Sequence, residues 1–168
     1  MLQRVQSIFL LLVAICMILM LFFPIWSKGG TSDDQTEMIT LNAFKQVYTS
    51  VDTISTDQES ALEEETVSRI YIAILALTAA GVAVFSIFKY GNRLTQIKLG
   101  ALNSLLMAAT LGLSLYFIMD AEKMVNPSVQ GNYSLGFFMP IAALIFNMLS
   151  NRFIRRDEKL VRSVDRIR

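Results

Sequence analysis

Few residues in this chain of 168 are equipped for acid–base, nucleophilic or metal chemistry, and those few are not arranged for it. Histidine, the commonest general base and metal ligand, is absent. The single cysteine, Cys16, has no second thiol for a disulfide, a redox pair or a zinc site, and it sits inside an apolar run. Neither a Gly-rich phosphate loop nor a nucleophile motif occurs. What remains is hydrogen bonding and charge. Ser86, Asn103 and Asn147 lie at the inner ends of otherwise apolar segments, and the chain closes on the charged stretch "RRDEKLVRSVDRIR". The chemistry expected is therefore recognition rather than catalysis: no enzyme, no metal and no cofactor.

The elements that carry these residues are apolar blocks. Residues 8–25, "IFLLLVAICMILMLFFPI", contain no charge and would form a helix about 27 Å long, close to the thickness of a bilayer core. A signal peptide is the competing reading. Its apolar region is usually about 7–15 residues ending at small side chains, whereas this run continues to Pro24 and Trp26. Three further blocks start at Ile70, Leu99 and Leu135. The last is short and holds Pro140 and Asn147, so it should lean on its neighbours and gain length through Phe153 and Ile154. The expected spans are 8–26, 70–89, 99–119 and 135–151, and apart from Lys89 at the very end of the second none contains Asp, Glu, Lys or Arg. That argues against a proton- or ion-coupled pump, which keeps an ionisable group within the membrane.

Charge sets the expected orientation, because Lys and Arg concentrate in cytoplasmic segments. Eleven of the fifteen fall at the N-terminus (Arg4), between the second and third blocks (Lys89, Arg93, Lys98) and in the tail. The other side has Lys28, Lys45, Arg69 and Lys123 among most of the carboxylates. Both termini are thus expected in the cytoplasm. Trp26, Tyr71, Tyr116 and Tyr133 would mark the outer headgroup level and Tyr90 the inner one.

Residues 27–69 form an acidic extracytoplasmic loop. Within it Leu41, Phe44, Tyr48, Val51 and Ile54 recur at helical spacing, yet "EMITLNAFKQVYTSV" also suits a hairpin, and the two readings stay open. Ser60 followed by Glu63 is a capping-box pattern that would start the second helix near Ala61. Gly91 and Asn92 should break the chain between the second and third helices, and "NPSVQGNYS" should form a short outer loop. Small-residue ridges, Ser104–Ala108–Gly112 on the third helix and Ala76/Ala80 or Ala79/Ala83 on the second, are candidate packing surfaces. Asn103 and Asn147 lie at similar depth and are expected to share a buried polar contact, with Ser86 a third member.

The tail, residues 152–168, separates into two faces if it continues the fourth helix. Phe153, Leu160, Val164 and Ile167 fall on one, and Arg155, Lys159, Arg162 and Arg166 on the other. It can stop translocation, lie on anionic lipid, or dock a protein. One basic stripe without interleaved aromatics is a weak nucleic-acid signal.

Both ends, "MLQRVQSIFLLL" and "GFFMPIAALIFNMLSNRFIRRDEKLVRSVDRIR", resemble an uncharacterised family, a domain of unknown function, of four-span inner-membrane proteins found in Bacteroidota. The resemblance covers nearly the whole chain. It implies an integral membrane protein of four helices and brings no catalytic residue. It highlights Gln3, Arg4 and Gln6, and in the tail Asp157, Glu158, Lys159, Leu160, Val161, Arg162, Asp165, Arg166 and Arg168. The sequence as a whole predicts an all-α, up-down-up-down four-helix membrane bundle with an amphipathic cytoplasmic tail. Its expected role is a non-enzymatic accessory or scaffold protein of the inner membrane. The partner would be another membrane complex or a cytoplasmic protein, and a homo-oligomer is compatible with the same surfaces. Docking is assigned to Gln3, Arg4, Gln6, Arg155, Glu158, Lys159, Leu160, Arg162, Val164, Arg166 and Ile167. The alternative is a small carrier or lipid-handling protein with a pocket near Asn103 and Asn147.

Overall fold

The computed structural model describes residues 2–32, 35–52, 63–89, 92–124 and 129–165. The elements run α1 (Leu2–Leu19), β1 (Trp26–Ser32), β2 (Gln35–Leu41), β3 (Lys45–Asp52), β4 (Glu63–Ser68), α2 (Ile70–Phe88), α3 (Arg93–Glu122), β5 (Asn132–Tyr133) and α4 (Leu135–Asp165). Each helix packs on two others, α1 on α2 and α4, and α3 on α2 and α4, so the four close a ring.

Both faces of these helices are apolar. On α1, Leu10, Val13, Ala14 and Met17 point into the ring, while Ile8, Leu11, Ile15 and Ile18 point out and are exposed. A helix facing water would carry polar residues on its outer side, and one that is apolar all round belongs in a core or a bilayer. α2 turns Ala73, Ala76, Ala79, Ala80 and Ala83 inward, and these small side chains let its backbone come close to its neighbours. The alanine ridges on this helix are therefore packed as their spacing suggested. The ridge on α3 is not: Ala108 and Gly112 are exposed, and a Cβ on Gly112 would meet nothing. α3 buries the neighbouring row instead, Gln96, Gly100, Asn103, Met107, Thr110 and Ser114.

The expectation of an all-α chain is corrected by a five-stranded antiparallel sheet, in the order β4-β3-β2-β1-β5, over one end of the helices. Of the two readings of "EMITLNAFKQVYTSV", the hairpin is realised. Leu41 lies opposite Gln46 and Ile39 opposite Tyr48, with Asn42 N–H donating to the Lys45 carbonyl at 2.9 Å across the turn. The alternation that decides it is local: Ile39 is fully buried, while Met38 beside it is half exposed. Trp26 and Lys28 of β1 face the same way as Ile39 and Leu41, and all four are buried over the helix ends. Trp26 is thus packed under the sheet, unlike the exposed Tyr71, Tyr116 and Tyr133. Tyr90 and the Ser60 of the expected capping box lie outside the described residues. The second helix starts at Ile70, not near Ala61, because residues 63–68 pair with β3 as an edge strand.

The sheet also solves a backbone problem. First-turn N–H and last-turn C=O groups of a helix have no partner within it. At α2 the Phe44 and Ala43 carbonyls of the β2–β3 turn accept from the Arg69 and Ala73 N–H groups at 2.8 and 3.2 Å. At α4 the Pro24 carbonyl accepts from Gly136 N–H at 2.9 Å. At the end of α3, Lys28 Nζ donates to the Glu122 carbonyl at 3.3 Å, a cation at the negative pole of the helix. Arg69 completes the cap, donating to Asp120 Oδ2 and Gln46 Oε1, each at 3.1 Å, with its guanidinium 4.4 Å from the Phe117 ring centre.

Candidate functional site: a polar seam and a cationic groove

The opposite end of the helices is held by polar side chains. Ser150 Oγ of α4 donates to the Gln6 carbonyl of α1 at 3.3 Å, and Gln6 Nε2 donates to Gln96 Oε1 of α3 at 3.3 Å. Gln96 Nε2 then donates to the Ser86 carbonyl in the last turn of α2 at 2.9 Å. One relay thereby crosses all four helices. Beside it, Asn147 Nδ2 donates to the Gly100 carbonyl and to Ser104 Oγ of α3, both at 2.8 Å. Gly100 permits this approach, since a Cβ there would run into the Asn151 carboxamide. Asn92, expected to break the chain, caps α3 in an extended conformation, its Oδ1 accepting from Thr95 N–H at 3.2 Å.

The expected Asn103–Asn147 contact is not what forms. Asn147 does join α4 to α3, but through Gly100 and Ser104, which lie on the same side of α3. Asn103 is buried with both carboxamide atoms lacking a hydrogen-bond partner among the described residues. Ser86 contributes its carbonyl, while its hydroxyl is likewise unpartnered. Replacing the two asparagines should therefore have unequal effects. Asn147→Leu removes two interhelical bonds and should cost about 1–2 kcal/mol. Asn103→Leu removes an unpaired amide, whose burial costs about 1–3 kcal/mol, and should leave stability unchanged or raised. Thermal denaturation of both variants in detergent checks this, and equal losses would count against the seam as described.

The expected docking residues separate into three groups. Gln6 is corrected: it is 2% exposed and engaged between helices, so it presents nothing to a partner. Its role needed Gln96, a residue ninety positions away in sequence that the sequence reading passed over. The spacing of Gln96, Gly100 and Asn103, which share one helical face, was the signal available. Arg155 and Lys159 come together with Arg152 and Arg156 on one exposed face of α4, and Glu158 is half-buried and engaged by neighbours. Gln3, Arg4, Leu160, Arg162 and Val164 lie in the helical ends of α1 and α4, and their side chains are outside those described; Arg166 and Ile167 are outside the described residues.

The four cations border a groove of about 810 Å³ between α3 and α4. Its walls are Leu144, Ile145 and Met148, with Ser104 and Asn151 beside them. Side chains of this kind can hold an anion and an apolar chain. The described residues that line the groove include no carboxylate and no thiol. Among the described residues, no group of three or more carboxylates and thiols is placed to hold a metal.

Three helical segments, Ile70–Phe88, Leu94–Glu122 and Leu135–Lys159, are long and apolar enough to cross a membrane, and α1 adds the shorter apolar segment Gln6–Leu19. With apolar side chains exposed round the ring, these define an integral membrane protein. The chain belongs to the family described as "Domain of unknown function (DUF4293)", which matches residues 2–167. No curated protein matches it.

Proposed function

We propose that this protein is a non-enzymatic accessory or scaffold subunit of the bacterial inner membrane. All four helices span the bilayer up-down-up-down, the sheet lies outside, and both termini are cytoplasmic. The observation that carries the reading is α4, which runs unbroken for 31 residues. At about 1.5 Å per residue it is roughly 46 Å long, well beyond a bilayer core of about 30 Å. The span is thus prolonged as a stiff arm. The charge bias supports its cytoplasmic placement. α1 supports the fourth crossing by packing on both α2 and α4.

Phe153, the first residue of the apolar tail stripe, stacks on Phe9 of α1 with ring centres 5.6 Å apart, and Ile154 is 1% exposed. Docking therefore falls to the part of the stripe beyond them, Leu160, Val164 and Ile167, with Glu158 and Arg162 fixing register. A truncation that tests this has to fall after Lys159, so that the packed residues stay. Removing residues 160–168 should abolish stoichiometric co-purification of a protein partner while membrane insertion and yield stay unchanged. Retained co-purification would end the docking role of the arm.

A second reading, a small carrier or lipid-handling protein, is supported by the groove beside Asn147. It expects a bound lipid or small molecule to accompany the purified protein instead of a partner subunit.

A further inference from the structure

We propose that the groove between α3 and α4 is a binding site for one anionic glycerophospholipid. Its phosphate is held by Arg152, Arg155, Arg156 and Lys159, and an acyl chain lies along Ile145 and Met148. The inference rests on the membrane placement proposed above and deepens the lipid-handling reading; it does not depend on partner docking.

Four observations carry it. Positions 145, 148, 152, 155, 156 and 159 recur at intervals of three and four or adjoin one another, so one face of α4 changes from apolar to cationic along its length. A membrane lipid has the same polarity sequence, acyl chain then phosphate, and the helix runs from span to cytoplasm in that direction. Next, the apolar wall is open to the bilayer: Ile145 is 52% and Met148 68% exposed. A chain can enter sideways without any helix moving.

Charge complementarity selects the headgroup. The described residues lining the groove include four cations and no carboxylate. Asp157 and Glu158, both half-buried, are not among the residues that line it. Finally, the polar atoms at the boundary match the glycerol region. Ser104 and Asn151 line the groove at the level where its wall changes from apolar to cationic. A phosphatidylglycerol-type headgroup carries the net negative charge that the four cations call for, and hydroxyls that suit a polar boundary. A zwitterionic choline headgroup has no net charge and no donor.

The test uses the full chain in nanodiscs of phosphatidylcholine with a minor fraction of phosphatidylglycerol, followed by native mass spectrometry of the released protein. Wild-type protein should retain one phosphatidylglycerol in preference to phosphatidylcholine. The fourfold variant Arg152→Gln, Arg155→Gln, Arg156→Gln, Lys159→Gln should lose that preference by at least about tenfold, as expected when several basic side chains at an anionic surface are neutralised. Lys89→Gln with Lys98→Gln, cations expected on the same side but outside the groove, should keep it. Met148→Trp, which fills the apolar wall without changing charge, should reduce retention of either lipid. Equal retention of both lipids by wild-type protein would overturn the proposal, as would an unchanged preference in the fourfold variant. Because both leaflets of a nanodisc have one composition, a negative result speaks against the site and not against the orientation. The arm truncation separately decides partner docking.

Discussion

Trp26→Ala should destabilise the protein by about 3–5 kcal/mol, the range for removing a large aromatic side chain from a packed interior. The indole is 2% exposed, faces inward from β1 opposite Leu41 and Tyr133, and lies so close to Gly131 that a Cβ there would enter the ring. Deleting it opens a cavity under the sheet and loosens the cover over the helix ends. For a chain of this size the loss corresponds to roughly 6–20 °C in the unfolding midpoint. Cys16 is the sole thiol and packs against the buried core, so a rise in its labelling rate during heating in detergent reports opening of the helices. Tyr71→Ala, at a ring 64% exposed, should change stability by no more than roughly 0.5 kcal/mol. If Trp26 were only a headgroup-level anchor, the two variants would behave alike.

Gly136→Ala should have the next largest effect, about 1–3 kcal/mol or more, through overpacking. A Cβ at this position would stand 2.6 Å from the Pro24 carbonyl oxygen and 2.7 Å from that of Phe23. Both are backbone atoms of the bend that links α1 to the sheet, so no side-chain rotation relieves the clash. Relief requires the first turn of α4 to move off, which breaks the Gly136 N–H bond to Pro24. Gly112→Ala is the matched control: its Cβ would meet nothing, and alanine is the better helix former, so stability should hold or rise by a few tenths of a kcal/mol. Comparing the two unfolding midpoints separates the cost of close approach from the cost of losing a glycine.

The helices were legible because their signal is local and long. α2 ends at Phe88, one residue from expectation, and α4 runs through Phe153 and Ile154 into the tail. The sheet was hidden because its strands look like loop: β1 reads "WSKGGTS" and β4 reads "EEETVS", each with few apolar residues. Of the inward residues, β2 supplies Ile39 and Leu41 while β3 supplies Gln46 and Tyr48, and the reversal at residues 42–44 leaves Leu41, Phe44 and Tyr48 at intervals that also fit a helix. At the candidate site the sequence placed Asn147 and Ser86 at the right end of the molecule. It erred where the decisive contact was distant. Gln6 stands just ahead of an apolar run, where a polar residue is expected to face the headgroups, and only its meeting with Gln96 draws it inside. Asn103 and Asn147 sit at matching depth, but rotation about α3 decides between Asn103 and the Gly100–Ser104 pair, and one sequence does not fix that rotation.

The central proposal is orientation: the sheet outside, with the polar seam and cationic groove at the cytoplasmic end of the helices and the arm in the cytoplasm. It is tested by thiol accessibility in spheroplasts, with Cys16→Ser as background and a single cysteine introduced as Thr66→Cys on β4 or Ser163→Cys on the arm. A membrane-impermeant maleimide should label Thr66→Cys in intact spheroplasts and Ser163→Cys only after permeabilisation. Labelling of Ser163→Cys from outside, with Thr66→Cys protected, would invert the molecule in the membrane and end the account.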